Sequence, residues 1–239
     1  IVWILVPSKN PLKAKISDLT STAFYNLLKE NIKPKNKYYP YDFFYNNCAT
    51  KIKDDIENIL DYQVVYNPSP TFKQFSFRNL IRSDLNQNSW GSFGIDIALG
   101  SKIDQIASIE EHMFLPKYLY QLLENARLKS DNSRLVTASK TLNPSEAIVQ
   151  NNFFSSPLFI LGILALVMLL ITYKDYKNSS RSKWLDIGLF AFTGCIGMLL
   201  LMLWFATDHK ATHQNYNLLW ACALNLVVIG QLFRKTPKH

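Results

Sequence analysis

The chain carries two uncharged stretches, Phe153 to Tyr173 and Ile187 to Thr207, and within the first Ile160 to Ile171 is almost unbroken aliphatic. A third uncharged run, Ala211 to Phe233, becomes strongly apolar from Leu218 onward. Each approaches the roughly 20 residues a helix needs to cross the hydrocarbon core of a bilayer. Helices of a soluble core run shorter and keep a polar stripe, so these runs predict three transmembrane spans, near 153–173, 187–207 and 216–233. The first follows a whole domain, which excludes a cleaved signal peptide.

The connecting loops orient the spans. Lys174, Lys177, Arg181 and Lys183 stand between the first two, and Arg234, Lys235 and Lys238 follow the third, whereas Lys210 alone serves the loop between the second and third. Basic loops stay cytoplasmic, so residues 1–152 and the loop DHKATHQNYN are expected together on the opposite face, the periplasm of a bacterial inner membrane. Trp184, Trp204 and Trp220 near the span ends fit interfacial anchoring. The net charge of +8 does not call for nucleic acid, because residues 1–152 hold 18 Lys and Arg against 15 Asp and Glu. No basic-aromatic module signature accompanies them, and scattered lysines suit a surface beside anionic headgroups.

Residues 1–6 (IVWILV) predict a strand, which needs neighbours, and an exported domain needs an export signal. The chain is therefore expected to be the later part of a longer one. Residues 17–31 predict a helix capped by Ser17 or Asp18, with Leu19, Phe24, Leu27 and Leu28 as its apolar positions. Trp90 to Gly100 is glycine-bearing but has no phosphate-loop lysine, and reads as a turn and short helix.

The most informative segment is YDFFYNNCATKIKDDIENIL, from Tyr41. Tyr41 to Tyr45 read as extended, Asn46 or Asn47 as a helix N-cap, and Ile52, Ile56 and Ile59 recur at helical spacing. Cys48 is thereby delivered to the first turn of an amphipathic helix. Unsatisfied amides there favour a thiolate and stabilise an oxyanion formed when it attacks a carbonyl. A buried, inert cysteine is the plain alternative. Cys195 and Cys222 lie inside expected spans, which disfavours a disulfide, and no Cys/His spacing suggests a metal. Asn47 either caps the helix or assists the oxyanion, and Asp42 either orients a base or serves a capping or surface role. Tyr41, Phe43, Phe44 and Tyr45 either wall an interfacial pocket or pack a core.

A thiol nucleophile usually needs a base. His112 reads as structural or surface, and His239 falls in the cytoplasmic tail. His209 and His213 belong to the loop expected on the same membrane face as Cys48, either completing a site or anchoring the helices.

At these residues the chain resembles the Lnb-type family of bacterial periplasmic domains followed by transmembrane helices. The resemblance rests on YDFFYNNCATKIKDDIE, on WGSFGIDIALGSKIDQIASIEEHMFLPKYL, and on the DH-x-x-T-x-x-N-x-N pattern of ATDHKATHQNYNLLW. It implies a circularly permuted papain-like α+β domain, incomplete here, whose histidine partner precedes this chain in a Gly-His-type segment. It further implies transfer of an acyl chain from phospholipid through a Cys48 thioester to the amino terminus of a lipoprotein. Tyr41, Asp42, Asn47, His209, Asn215 and Asn217 become supporting positions.

The sequence thus reads as a cysteine-nucleophile domain over 1–127, a linker over 128–152 and a membrane domain over 153–239. The expected partners are a phospholipid donor, a lipoprotein acceptor and the membrane, with no cofactor, metal or nucleic acid. A cell-envelope peptidase or amidase, which shares the thiol but uses water as acceptor, and a noncatalytic membrane scaffold are the alternatives.

Overall fold

The computed structural model describes residues 2–4, 12–14, 18–139 and 152–232. The chain divides into two compact units, residues 1–77 with 106–148 and residues 78–105 with 149–239.

Among the described residues the first unit contains the α-helices α1 (Asp18–Asn31), α2 (Cys48–Ile59) and α5 (Pro116–Glu124). Strands β1 (Val2–Ile4), β2 (Leu12–Ala14) and β5 (Val136–Ser139) form an antiparallel sheet in the order β1-β2-β5, with Ile4 opposite Leu12 and Lys13 opposite Ala138. A two-stranded ladder joins β3 (Val64–Val65) to β4 (Arg127–Leu128). The expected strand at 1–6 is thus described over Val2–Ile4, and its other residues, like Ser17, lie outside the described set.

The core forms where apolar periodicities converge. Helix α2 turns Ala49 and Ile56 inward, with Ile52 and Leu60 packed beside them. Pro116 opens α5, where its missing N–H costs nothing, and Leu119, Leu122 and Leu123 are fully buried from that helix. Each such side chain contributes about 1.5–3 kcal/mol by leaving water. Helix α2 ends in a left-handed turn, with φ of 48° at Asp61 and 55° at Tyr62.

Two expectations for this unit change. Tyr41 to Tyr45 form a tight turn rather than an extended segment, because Asp42 and Asn46 exchange backbone hydrogen bonds of 3.1 and 3.0 Å. Asp42 Oδ1 reinforces the turn by accepting from the N–H groups of Phe44 and Tyr45, both at 2.9 Å. The expected linker over 128–152 also loses its first part to the folded unit. Leu128 pairs with Val64, and Leu135 and Val136 are buried against the helices, so the polar composition of 129–134 marks a turn between strands. Residues 140–151 of that linker lie outside the described set.

The second unit holds most of α3 (Phe77–Asp84), all of α4 (Trp90–Ala98) and three membrane-domain helices: α6 (Pro157–Lys177), α7 (Lys183–Phe205) and α8 (Asn225–Leu232). Two of these, α6 and α7, are long and apolar enough to cross a bilayer. Only Pro157 of α6 is buried, while Leu158, Ile163, Leu166 and Leu169 face outward. An aliphatic surface displayed in this way suits lipid rather than water.

The third apolar run departs from a single helical span. A 3-10 turn at Tyr216–Leu219 is followed by non-helical backbone before α8 begins. The interrupted stretch packs on α7. A Cβ on Gly197 would meet Ala221 O at 2.1 Å and Ala223 N at 2.5 Å, and one on Gly194 would meet Leu226 Cγ at 2.7 Å. The two glycines let the interrupted backbone lie directly on α7, where Asn225 Nδ2 donates to Thr193 Oγ1 at 2.9 Å.

A candidate cysteine site at the head of α2

Asn47 organises the start of α2. Its Oδ1 accepts from the N–H groups of Ala49 at 2.8 Å and Thr50 at 2.9 Å, while Thr50 Oγ1 accepts from the Asn47 N–H at 2.8 Å. This reciprocal capping box satisfies amides that the helix itself leaves open. The Lys51 N–H donates to Asn47 O at 3.0 Å as the first intrahelical bond. The Cys48 N–H has no acceptor among the described residues, and the Cys48 side chain is exposed. One thiol and one open amide therefore meet on the same residue at a helix N-terminus.

Asn47 itself has no donor to spare. Its Nδ2 donates to Phe43 O and to Phe114 O, each at 2.9 Å, so both amide hydrogens are engaged. Of its two expected roles the cap is occupied, and no donor is left for an oxyanion. Asp42 is likewise committed to its turn. Below this turn Phe44, Phe77 and Phe114 are buried and in mutual ring contact, with centroids 4.9 to 5.7 Å apart, so Phe44 packs a core while Tyr41, Phe43 and Tyr45 remain exposed.

Cys48 opens onto a cleft of about 630 Å³ lined by residues of α1, α2 and the segment between them, including Tyr39, Lys51, Asp54 and Asp55. Spacing from Cys48 through Lys51, Asp55 and Asn58 follows one face of α2, beside the stripe that carries Ala49, Ile52 and Ile56 into the core. Lys51 Nζ sits 5.0 Å over the Tyr39 ring, and Tyr39 and Tyr41 have ring centroids 6.5 Å apart. Partial desolvation of this largely exposed ring, then the nearby Cys48, Tyr39 and Asp42, pushes the Tyr41 hydroxyl above the usual phenol value. Burial also raises the carboxyl groups of Asp54 and Asp55 against the opposing pull of nearby lysines.

These lining residues were not among the expected site positions. Lys51 and Asp55 were legible in principle from their spacing after Cys48, whereas Tyr39 and the α1 wall depend on how the chain folds back.

His112 is excluded from proton transfer at this cleft by its own bonding. The buried ring accepts the Phe75 N–H at Nε2, 3.2 Å, and places Nδ1 2.6 Å from Ser108 O. That pattern demands the neutral tautomer with hydrogen on Nδ1. His112 is thus a structural residue of the first unit.

His209, Asn215 and Asn217 belong to the second unit, whereas Tyr41, Asp42, Asn47 and Cys48 belong to the first. The two asparagines cap α4. Buried Asn215 donates through Nδ2 to the carbonyls of Ile97 at 2.7 Å and Ala98 at 3.1 Å, and Asn217 Nδ2 donates to those of Asp96 at 3.2 Å and Ile97 at 3.1 Å. They satisfy carbonyls that a helix C-terminus leaves open. Gly100 completes the clamp, since its N–H donates to Ala211 O at 2.9 Å and a Cβ there would lie 1.8 Å from His213 O. The His209 side chain is exposed and its ring has no hydrogen-bond partner among the described residues. His239 lies outside the described residues.

Comparison with known proteins gives two family matches, to the Lnb N-terminal periplasmic domain over residues 16–82 and to the Lnb transmembrane domain over residues 149–239. The glycine-bearing and Met-Phe-Leu-Pro segments between 90 and 119 lie between these matches. No curated protein and no solved structure matches the chain. The first match contains Cys48 and its cap, and the second contains α6, α7 and the asparagine clamp. With a periplasmic part preceding apolar helices, this chain is a membrane protein belonging to the Lnb family.

Proposed function

We propose that this protein is an acyltransferase that carries an acyl chain from phospholipid to the amino terminus of a lipoprotein as a thioester on Cys48. The observation that carries the reading is the exposed Cys48 thiol at the first position of α2, with its own N–H open, above a cleft in a protein anchored to lipid. The nearest abundant ester for such a thiol is phospholipid.

In the first half-reaction the Cys48 thiolate attacks the ester carbonyl. The resulting oxyanion accepts from the Cys48 N–H, and the C–O bond breaks to release lysophospholipid, whose alkoxide takes a proton from the base. In the second, the acceptor amine attacks the thioester, an amide forms, the thiolate leaves and the amine's proton passes to the base. A circularly permuted papain-like domain uses a histidine as this base. Tyr41 and Tyr39 supply an aromatic wall that favours amine over water as acceptor. His209 serves as a supporting group at the membrane face. The membrane is the inner membrane, with the C-terminus cytoplasmic, and 216–233 makes the third crossing as an interrupted segment. Burial of its non-helical backbone against Gly194 and Gly197 is the condition under which such a crossing is tolerated.

Intact mass of the membrane-purified full-length protein after incubation with phospholipid tests this reading, with Cys48→Ser beside it. A hydroxylamine-labile acyl mass on the Cys48 protein alone is the expected result. An unmodified thiol that still reacts with a small alkylating reagent would refute acyl transfer and favour a peptidase or a scaffold.

A further inference from the structure

The charges along the cleft occur in a fixed order. Starting at Cys48, the polar face of α2 presents one cation, Lys51, about 4.5 Å further along the axis, and then Asp54 and Asp55 about another 4.5 to 6 Å on. Neither Lys51 nor Lys37, also on the cleft wall, has a carboxylate within 4.0 Å among the described residues; their ammonium groups sit over the rings of Tyr39 and Tyr38. Asp55 has only the Asn31 amide, 3.5 Å from each of its oxygens, and Asp54 has no hydrogen-bond partner among the described residues. Burial raises both carboxyls against the pull of Lys53 and Lys51 on Asp54 and of the Asn31 amide and Lys51 on Asp55.

A glycerophospholipid presents the complementary order. Its acyl ester is followed within a few bonds by the phosphodiester, and in one headgroup class the phosphate is followed by a primary ammonium. Resting on the acyl-transfer reading above, we propose that this cleft recognises the phosphoethanolamine headgroup of a phospholipid, with Lys51 on the phosphate and Asp54 and Asp55 on the ammonium, which sets the donor ester against Cys48 Sγ. A primary ammonium donates hydrogen bonds to both carboxylates, which a quaternary choline cannot do, and a glycerol headgroup supplies no cation. The cleft volume of about 630 Å³ lies within the range of small-molecule sites and accommodates a headgroup.

The test measures protection of Cys48 from a small alkylating reagent in the full-length protein. Vesicles of phosphatidylglycerol carry phosphatidylethanolamine, phosphatidylcholine or no second lipid, and hydroxylamine-labile acyl mass on Cys48 is followed in parallel. We expect phosphatidylethanolamine to slow alkylation about tenfold more than the other two. Lys51→Glu and the double variant Asp54→Asn with Asp55→Asn should erase that difference, while Lys51→Arg keeps it. Equal protection by all three lipids, or a preference unmoved by the charge variants, would overturn the proposal. So would protection by soluble phosphoethanolamine with none from vesicles. The two readings fail separately: acyl mass formed equally from every lipid removes the headgroup site and leaves acyl transfer. Selective protection without acyl mass leaves the headgroup site and removes acyl transfer.

Discussion

Asn47 and Phe114, distant in sequence, are joined by a buried hydrogen bond of 2.9 Å, in which Asn47 Nδ2 donates to the Phe114 carbonyl. The same side chain caps α2 through Oδ1, so one residue fixes both the start of the cysteine helix and its seat on the neighbouring segment. Asp is as good an N-cap as Asn. Asn47→Asp nevertheless replaces both donors with a carboxylate facing the carbonyls of Phe43 and Phe114. We expect it to destabilise the first unit by about 1–3 kcal/mol, and Asn47→Ala by about 2–4 kcal/mol. Thermal melting of the purified protein checks this. A neutral Asn47→Asp would mean that capping is the residue's whole role.

Asp54 and Asp55 should make the protein less stable at neutral pH than their amide variants. Burial raises both folded-state carboxyls above the unfolded value of about 3.9. The folded state then holds more protons than the unfolded state between the two values, and stability falls as pH rises through that window. Asp54→Asn and Asp55→Asn are expected to raise the melting temperature at pH 7, with the advantage fading below about pH 4, where both states are protonated. A pH series of melting temperatures for the three proteins decides it, and an advantage that persists at pH 3 would assign the effect to packing.

The asparagine clamp on α4 gives a test within the second unit. Asn215→Ala strips hydrogen bonds from the carbonyls of Ile97 and Ala98 and should cost about 1–3 kcal/mol. Gly100→Ala should be worse, because its methyl group would meet backbone at His213 rather than a side chain able to turn away. Limited proteolysis in the 206–224 loop is the appropriate readout, with Gly100→Ala cleaved faster than Asn215→Ala.

Gly197→Leu should expel the backbone of Ala221 to Ala223 from α7, since even one methyl group meets it at 2.1 Å. Cysteine-accessibility labelling at Cys222 is expected to rise severalfold, whereas Gly188→Leu, which faces open space, leaves it unchanged. Equal labelling in the two variants would show that α7 does not hold this segment.

The periodicity and charge of the chain alone determined a great deal. The first two spans are visible because a bilayer demands some 20 uncharged residues in a row, and α6 and α7 follow those runs closely. The start of α2 is visible because Asn47, Cys48 and the isoleucine spacing are local signals, carried within two turns of helix. Only the tertiary structure decided the rest. The third run is as apolar as a span but breaks where Gly194 and Gly197 of another helix admit its backbone, and no local window contains that contact. Asn215 and Asn217 look like polar loop residues until the carbonyls of α4 are placed beneath them. The wall facing Cys48 joins residues of α1 and Tyr39 to one face of α2, a juxtaposition produced by long-range packing, which hydrophobic spacing along a single element cannot encode.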